Sequence, residues 1–239
     1  MLFRPARTSR LSPSTILFTA AALATLTATA LLAQGAVGDR TISADDARRL
    51  AEDLAHTRGF SIVADETVLT EINAIVATAE SRSRFKAGMA RLEDYSKVSA
   101  KILRDHGVPV ELLAIAQQES RVQSLPENAN PMRSAGIWQF IPSTARRYGL
   151  RVDGKDDERM DPVKSAEAAA SYLADLHEEF SDWRLTAAAY NAGSAEVRRA
   201  IDAQGTKDPV ALAKTGGISR YASSVMAAAL LIHHPELVD

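Results

Sequence analysis

Apolar residues recur at helical spacing along most of this 239-residue chain, and no long stretch alternates with a period of two. Two segments show the spacing clearly: Val68, Leu69, Ile72, Ile75, Val76 and Ala79, then Phe85, Met89, Leu92, Tyr95, Val98 and Ile102. Alanine, the best helix former, is abundant in the later segments. The pattern therefore predicts an all-α protein whose helices pack around one core.

Capping residues divide the chain into short helices. Ser43 precedes two acidic residues and predicts a helix start, and Asp161-Pro162 predicts another. Ser143 is also expected to be a helix cap. The predicted later helices cover residues 65–80, 82–105, 110–120, 142–148, 163–180, 183–191, 194–202, 208–213 and 217–233. We expect residues 36–107 to form a helical preface packed onto a compact part at 108–234.

The first 35 residues have the pattern of a secretory signal and are expected to lie outside the fold. Three arginines precede an uncharged, largely apolar run that ends in small residues. The run at 11–33 is also about long enough to span a bilayer, which takes ~20 residues, so an uncleaved inner-membrane anchor stays open. Either way, the sequence predicts export to the periplasm or cell envelope.

Composition excludes several kinds of function. The chain has no cysteine, so it has no disulfide, thiolate metal site or cysteine nucleophile. Its 28 Lys and Arg nearly balance 30 Asp and Glu, so no nucleic-acid partner is predicted. The five histidines form no dense ligand motif, so neither a metal nor a cofactor is predicted. His233-His234 is expected to be a solvated helix end, and residues 153–158 a solvated loop.

One carboxylate falls on a face that should be buried. Glu119 shares one side of the helix at 110–120 with Leu112, Ile115 and Ala116. Burial and the negative end of the helix dipole both disfavour the ionised form, so the pKa of Glu119 should be raised. A raised pKa suits a general acid near neutral pH. The alternative is that Glu119 turns to solvent or pairs with Arg121 or Arg133.

Three sequence signatures follow in order: Glu119-Ser120, Gly136-Ile137-Trp138-Gln139 and Ala189-Tyr190-Asn191-Ala192-Gly193. They resemble the signatures of the family 1 lytic transglycosylases, and Tyr221 resembles a fourth, a substrate-contacting tyrosine on the last helix. The resemblance covers roughly residues 108–232 and is most similar to the membrane-bound D-type members. The chain departs from the family at Val122, where an aromatic is frequent, and at residues 216–219, where a glutamate is frequent.

The resemblance implies a lysozyme-like domain that acts on the glycan strands of peptidoglycan. Such enzymes cleave the β-1,4 bond between N-acetylmuramic acid and N-acetylglucosamine without water and leave a 1,6-anhydro end. By the resemblance, Glu119 is the single acid and base, and Ser120 orients it or contacts an N-acetyl group. The implied substrate-binding residues are Trp138, Gln139, Tyr190, Asn191 and Tyr221, each with a packing or helix-end role as the alternative. Protein partners in an envelope complex are also open.

Two other functions stay open. A hydrolytic muramidase on the same fold needs a second carboxylate to activate water, and Glu127 is the nearby candidate. A non-catalytic peptidoglycan-binding scaffold would not need a desolvated acid at position 119.

Overall fold

A computed structural model describes residues 40–127, 132–153 and 155–239. Within these ranges the chain forms ten α-helices, and its only β-type pairs are isolated bridges. The helices are α1 (Ala44–Arg58), α2 (Glu66–Val76), α3 (Ala79–Asp105), α4 (Leu113–Ser120), α5 (Pro142–Arg147), α6 (Pro162–Phe180), α7 (Trp183–Ala192), α8 (Ser194–Gln204), α9 (Pro209–Lys214) and α10 (Arg220–His233). The predicted all-α class is confirmed. The predicted signal segment lies outside the described residues.

Capping residues explain which helix boundaries agree with those predicted from the sequence and which do not. Ser43 and Asp161 accept backbone N–H groups at the starts of α1 and α6, as predicted. Thr78 and Ser81 cap each other reciprocally, which sets the start of α3 and separates it from α2. The prediction for Ser143 is wrong, because Pro142 already occupies the first turn of α5 and Ile141 is the cap residue.

Helix α10 lies in the middle of the core. Its residues from Ala222 to Leu231 are all buried, so it has no solvent face over that length. It packs against α2, α4 and α7. The two serines in this stretch satisfy their hydroxyls internally: Ser223 bonds to Arg184, and Ser224 bonds to Glu71. Such satisfaction is what allows polar groups in a buried helix.

The helices of the expected preface are part of this packing. Asp65 caps α2 and also receives the Arg184 guanidinium of α7, with Nη1 to Oδ2 at 2.6 Å. Glu71 of α2 contacts Arg220 and Ser224 at the start of α10. The described residues from 40 onwards belong to one compact unit. Among the described residues, no helix has both the length and the apolar character needed to cross a bilayer.

Candidate active site

Glu119 lies in the last turn of α4, where its partly buried carboxyl meets the start of α10. The Tyr221 hydroxyl donates a hydrogen bond to Oε1 at 2.6 Å. Burial raises the pKa of Glu119, and the Tyr221 hydrogen bond opposes this only in part. The alternative pairing with Arg133 does not form, because the Arg133 guanidinium contacts Glu127 instead. The site therefore contains a carboxyl that holds its proton to higher pH than an exposed glutamate.

The end of α4 is joined to the loop that follows it. Arg121 and Val122 take positive φ angles of 53° and 58°, which turn the chain directly after Ser120. The buried Ser120 hydroxyl donates to the carbonyl oxygen of Ile137 at 2.7 Å. This contact holds the helix turn that carries Glu119 against the loop at 136–140. Both roles predicted for Ser120 stay predictions, since its hydroxyl bonds to backbone carbonyls and not to Glu119.

Of the two roles left open for Trp138, the structure favours packing over contact with a sugar. Its ring is fully buried, and its Nε1–H donates to the Tyr95 hydroxyl at 2.8 Å. Tyr95, on α3, donates in turn to the carbonyl of Pro162 at 3.0 Å. An indole without an exposed face can only pack, so Trp138 supports the loop from beneath. Sequence reasoning missed Tyr95, although its place in an apolar stripe with a hydroxyl to satisfy was a signal.

Gln139 lies in the loop at 136–140, and Tyr190 of α7 bonds to that loop. Gln139 has a φ of 50°, donates through Nε2 to the Gly136 carbonyl at 2.7 Å and accepts from Ser134. Tyr190 donates to the carbonyl of Trp138 at 2.8 Å. Burial and the nearby Glu119 charge raise the pKa of Tyr190 well above its usual value, so its hydroxyl stays protonated.

Asn191 is exposed at the end of α7, and no hydrogen bond among the described residues ties it to Glu119. The structure thus brings Glu119, Tyr221 and Tyr190 together. Ser120, the last residue of α4, bonds to the loop that contains Gln139. Asn191 takes no part in these hydrogen bonds.

An aromatic row extends from Tyr190. Its ring centroid is 5.2 Å from that of Tyr172 and 6.2 Å from that of Phe140. Tyr148 continues the row, 4.9 Å from Tyr172, and bonds to Asp175. Tyr172 and Tyr148 were missed by sequence reasoning, since they come from two different helical segments. They are only partly buried, unlike Trp138.

A buried arginine, Arg159, holds the loop between Arg133 and Phe140 through their backbone carbonyls. Arg159 is fully buried, and its Nη2 contacts Glu127 at 2.6 Å and Asp157 at 2.7 Å. Its Nη1 donates to the carbonyls of Arg133 and Phe140. The part of residues 153–158 that contains Asp157 is therefore not a solvated loop, and that prediction is corrected. The side-chain hydrogen bonds from Arg159 and Arg133 lower the pKa of Glu127, which makes it a weak base.

Gly136 tolerates no side chain, and this yields a stability prediction. Its φ is 80°, and a Cβ there would lie 1.9 Å from the carbonyl oxygen of Arg159. We expect Gly136→Ala to lower the free energy of unfolding by at least about 3 kcal/mol, because backbone strain and a backbone clash combine. Gly149→Ala is the control, since φ is 84° but no atom lies within 4 Å of the new Cβ. It should cost about 1 kcal/mol. Urea denaturation of both variants measures the difference, and equal losses would contradict the clash.

The fold and the site together define an all-α domain of the lysozyme-like class, with one partly buried carboxyl whose pKa is raised by burial. Residues 97–212 match the family described as "Transglycosylase SLT domain". This part of the chain is therefore similar to the lytic transglycosylases that carry this domain. The matched range includes Glu119, Gln139 and Tyr190 but ends before α10 and Tyr221.

Curated relatives cover the same region. The chain is 39% identical over 112 residues to "Membrane-bound lytic murein transglycosylase D" of Escherichia coli K12, covering 46% of this chain and 24% of that protein. It is 40% identical over 104 residues to "Peptidoglycan transglycosylase gp16" of Escherichia phage T7, covering 42% of this chain and 8% of that protein. It is 29% identical over 113 residues to a "Putative tributyltin chloride resistance protein" of Alteromonas sp. strain M-1. The chain thus spans about a quarter of the first of these relatives.

Proposed function

We propose that this chain cleaves the MurNAc-β-1,4-GlcNAc bond of peptidoglycan glycan strands without water and leaves 1,6-anhydromuramyl ends. The observation that carries the proposal is Glu119, a carboxyl with a raised pKa whose Oε1 is held by Tyr221. The printed names of two relatives, a lytic murein transglycosylase and a peptidoglycan transglycosylase, support the same activity.

One carboxyl can carry the whole reaction. Protonated Glu119 gives its proton to the glycosidic oxygen as the bond to C1 breaks. The resulting carboxylate then takes the proton of the muramyl C6 hydroxyl while that oxygen bonds to C1, so Glu119 ends protonated again. The Tyr221 hydrogen bond stabilises the transient carboxylate. No water is consumed, and no second carboxylate is needed.

The hydrolytic alternative is disfavoured by the state of Glu127. A hydrolase of this kind would use Glu127 to activate water, but both its oxygens are engaged by arginines. Its lowered pKa also makes it a poor proton acceptor. A non-catalytic scaffold gains nothing from a desolvated acid, so the raised pKa of Glu119 argues against that reading as well.

We propose sugar contacts for the polar and aromatic residues near Glu119. Gln139, Asn191 and Tyr190 remain the proposed polar contacts, and Tyr221 acts on both the acid and the substrate. Partly buried Tyr172 extends the aromatic row from Tyr190, and we propose it as a surface on which a sugar ring stacks.

The proposed location is the periplasm or cell envelope. Residues 1–35 have the pattern of an export signal, or of an inner-membrane anchor through residues 11–33, and the relative with "membrane-bound" in its name accords with an envelope location. Protein partners in an envelope complex remain part of the proposal.

Mass spectrometry of the muropeptides released from purified sacculi tests the proposed activity. Products about one water lighter than hydrolysis products would support transglycosylation. Hydrated reducing ends would instead identify a hydrolase. Sacculus binding without any product from the folded protein would favour the scaffold.

Tyr221→Phe should change the pH profile of cleavage. The hydroxyl lowers the pKa of Glu119, so its removal raises that pKa further. Because the first step needs protonated Glu119, the alkaline limb of kcat/KM should move to higher pH. The maximal rate should fall about tenfold or more, since a hydrogen bond to a developing charge is lost. A lower rate with an unmoved alkaline limb would show that Tyr221 contacts only the substrate.

A further inference from the structure

We propose that Asp53, His233 and His234 bind one zinc ion that joins α1 to the end of α10. Asp53 comes from the middle of α1, and the two histidines are the last residue of α10 and its cap. Asp53 Oδ2 is 3.2 Å from His233 Nε2 and 3.7 Å from His234 Nε2, and the three ligand atoms lie within 4.8 Å of one another. The inference does not depend on the proposed cleavage activity.

The two distances from Asp53 are close to those of a tetrahedral zinc site. With bonds of about 2.0–2.2 Å, neighbouring ligand atoms around tetrahedral zinc are separated by about 3.3–3.6 Å. Two imidazoles and a carboxylate are also a ligand set that zinc uses in proteins. The Thr57 hydroxyl, 3.0 Å from His233 Nε2, or a water completes the fourth position.

The surroundings of His234 supply an independent observation. Its side chain is only 4% exposed, and Nδ1 faces Glu236 Oε1 at 3.5 Å. That carboxylate oxygen is buried and has no hydrogen-bond partner in the described part of the chain. A histidine that binds metal through Nε2 carries its proton on Nδ1 and donates it to a carboxylate. Zinc at His234 Nε2 would therefore give the Glu236 oxygen a partner.

The cluster is accessible to an ion. His233 lines a cavity of about 540 Å³ between α3, α4 and α10, and the Asp53 side chain is 34% exposed. Arg58 lines the same cavity, and its positive charge opposes the binding of a cation. The negative charges of Asp53 and Glu236 outweigh it. Without metal, His234 Nε2 faces the Leu50 carbonyl at 3.3 Å and His233 Nε2 faces Asp53, so a hydrogen-bonded cluster is the competing explanation.

Isothermal titration of zinc chloride into the metal-free full chain, purified without a histidine tag, tests the proposal. We expect one zinc per chain and a rise in Tm of about 5 °C or more at saturation. Asp53→Asn and His233→Gln should each weaken binding by at least about tenfold. His56→Gln, which removes an exposed histidine from α1, is the matched control and should bind like the parent chain.

Cobalt gives a readout that needs no variant. Bound at this site, Co²⁺ should show the intense visible absorption of tetrahedral coordination, and zinc should displace it stoichiometrically. Absence of one-to-one zinc binding by the unaltered chain would overturn the proposal and leave the hydrogen-bonded cluster. So would equal affinity in Asp53→Asn and His56→Gln, or a purely octahedral cobalt spectrum.

Discussion

Glu119→Gln should lower the rate of muropeptide release by about 10³-fold or more while leaving the protein folded. Glutamine keeps the shape of the side chain and can still accept the Tyr221 hydrogen bond, but it cannot donate a proton to the glycosidic oxygen. Initial rates on purified sacculi measure the effect. Glu111→Gln, in the turn that precedes α4, is the control and should keep the parental rate. A Glu119→Gln protein with more than a tenth of the parental rate would remove Glu119 from the mechanism.

The same substitution should increase stability at neutral and alkaline pH. Burial raises the folded-state pKa of Glu119 above its unfolded value, so the folded protein binds the proton more tightly. The free energy of unfolding of the parent therefore decreases as pH rises between those two values. Glutamine removes this loss, and we expect a gain of about 1 kcal/mol at pH 8 that disappears below about pH 4. Urea unfolding at both pH values checks the sign, and a gain of equal size at low pH would contradict it.

Arg159→Met should lower the free energy of unfolding by about 3 kcal/mol or more, with a fall in Tm of roughly 6–12 °C. The change leaves Glu127 and Asp157 without the buried cation between them, and two loop carbonyls lose their donor. Cleavage should fall as well, because the loop that carries Gln139 loses its anchor. Thermal unfolding and product release are measured on the same preparation.

Arg151→Met is the matched control. Arg151 makes ion pairs with Glu158 and Asp156, but its side chain is 60% exposed. Its loss should cost no more than about 1 kcal/mol, because solvent screens an exposed pair. If the two substitutions lowered the Tm equally, the buried network around Arg159 would not be the anchor of the loop.

Most of what the sequence predicted about the fold and the site came from the helical spacing of apolar residues. It placed Glu119 on the buried face of its helix, because the spacing of apolar neighbours along one helix defines that face. It could not do the same for Trp138, which lies in a loop where spacing defines no face. The sequence left both a sugar contact and a packing role open for this indole, which is buried in the structure and bonds to Tyr95.

Contacts between segments that are far apart in the chain could not be predicted from the sequence. Glu127 was the candidate for a second carboxylate because it stands near Glu119 along the chain. Its partner Arg159 lies 32 positions away and changes its chemistry. The prediction of a solvated end at His233-His234 is wrong for the same reason, since His234 is buried and both rings meet Asp53, about 180 residues earlier. Periodicity says which side of a helix is apolar, but it does not say what covers that side.

The hydrogen bond between Glu119 and Tyr221 joins a residue inside the recognised family range to one outside it. Helix α10 in turn depends on Glu71 and Asp65, which precede that range. A fragment trimmed to residues 97–212 would therefore expose the apolar side of α4 and the Glu119 carboxyl to solvent. The family range is thus narrower than the set of helices that encloses Glu119, and the raised pKa of that carboxyl depends on the wider set.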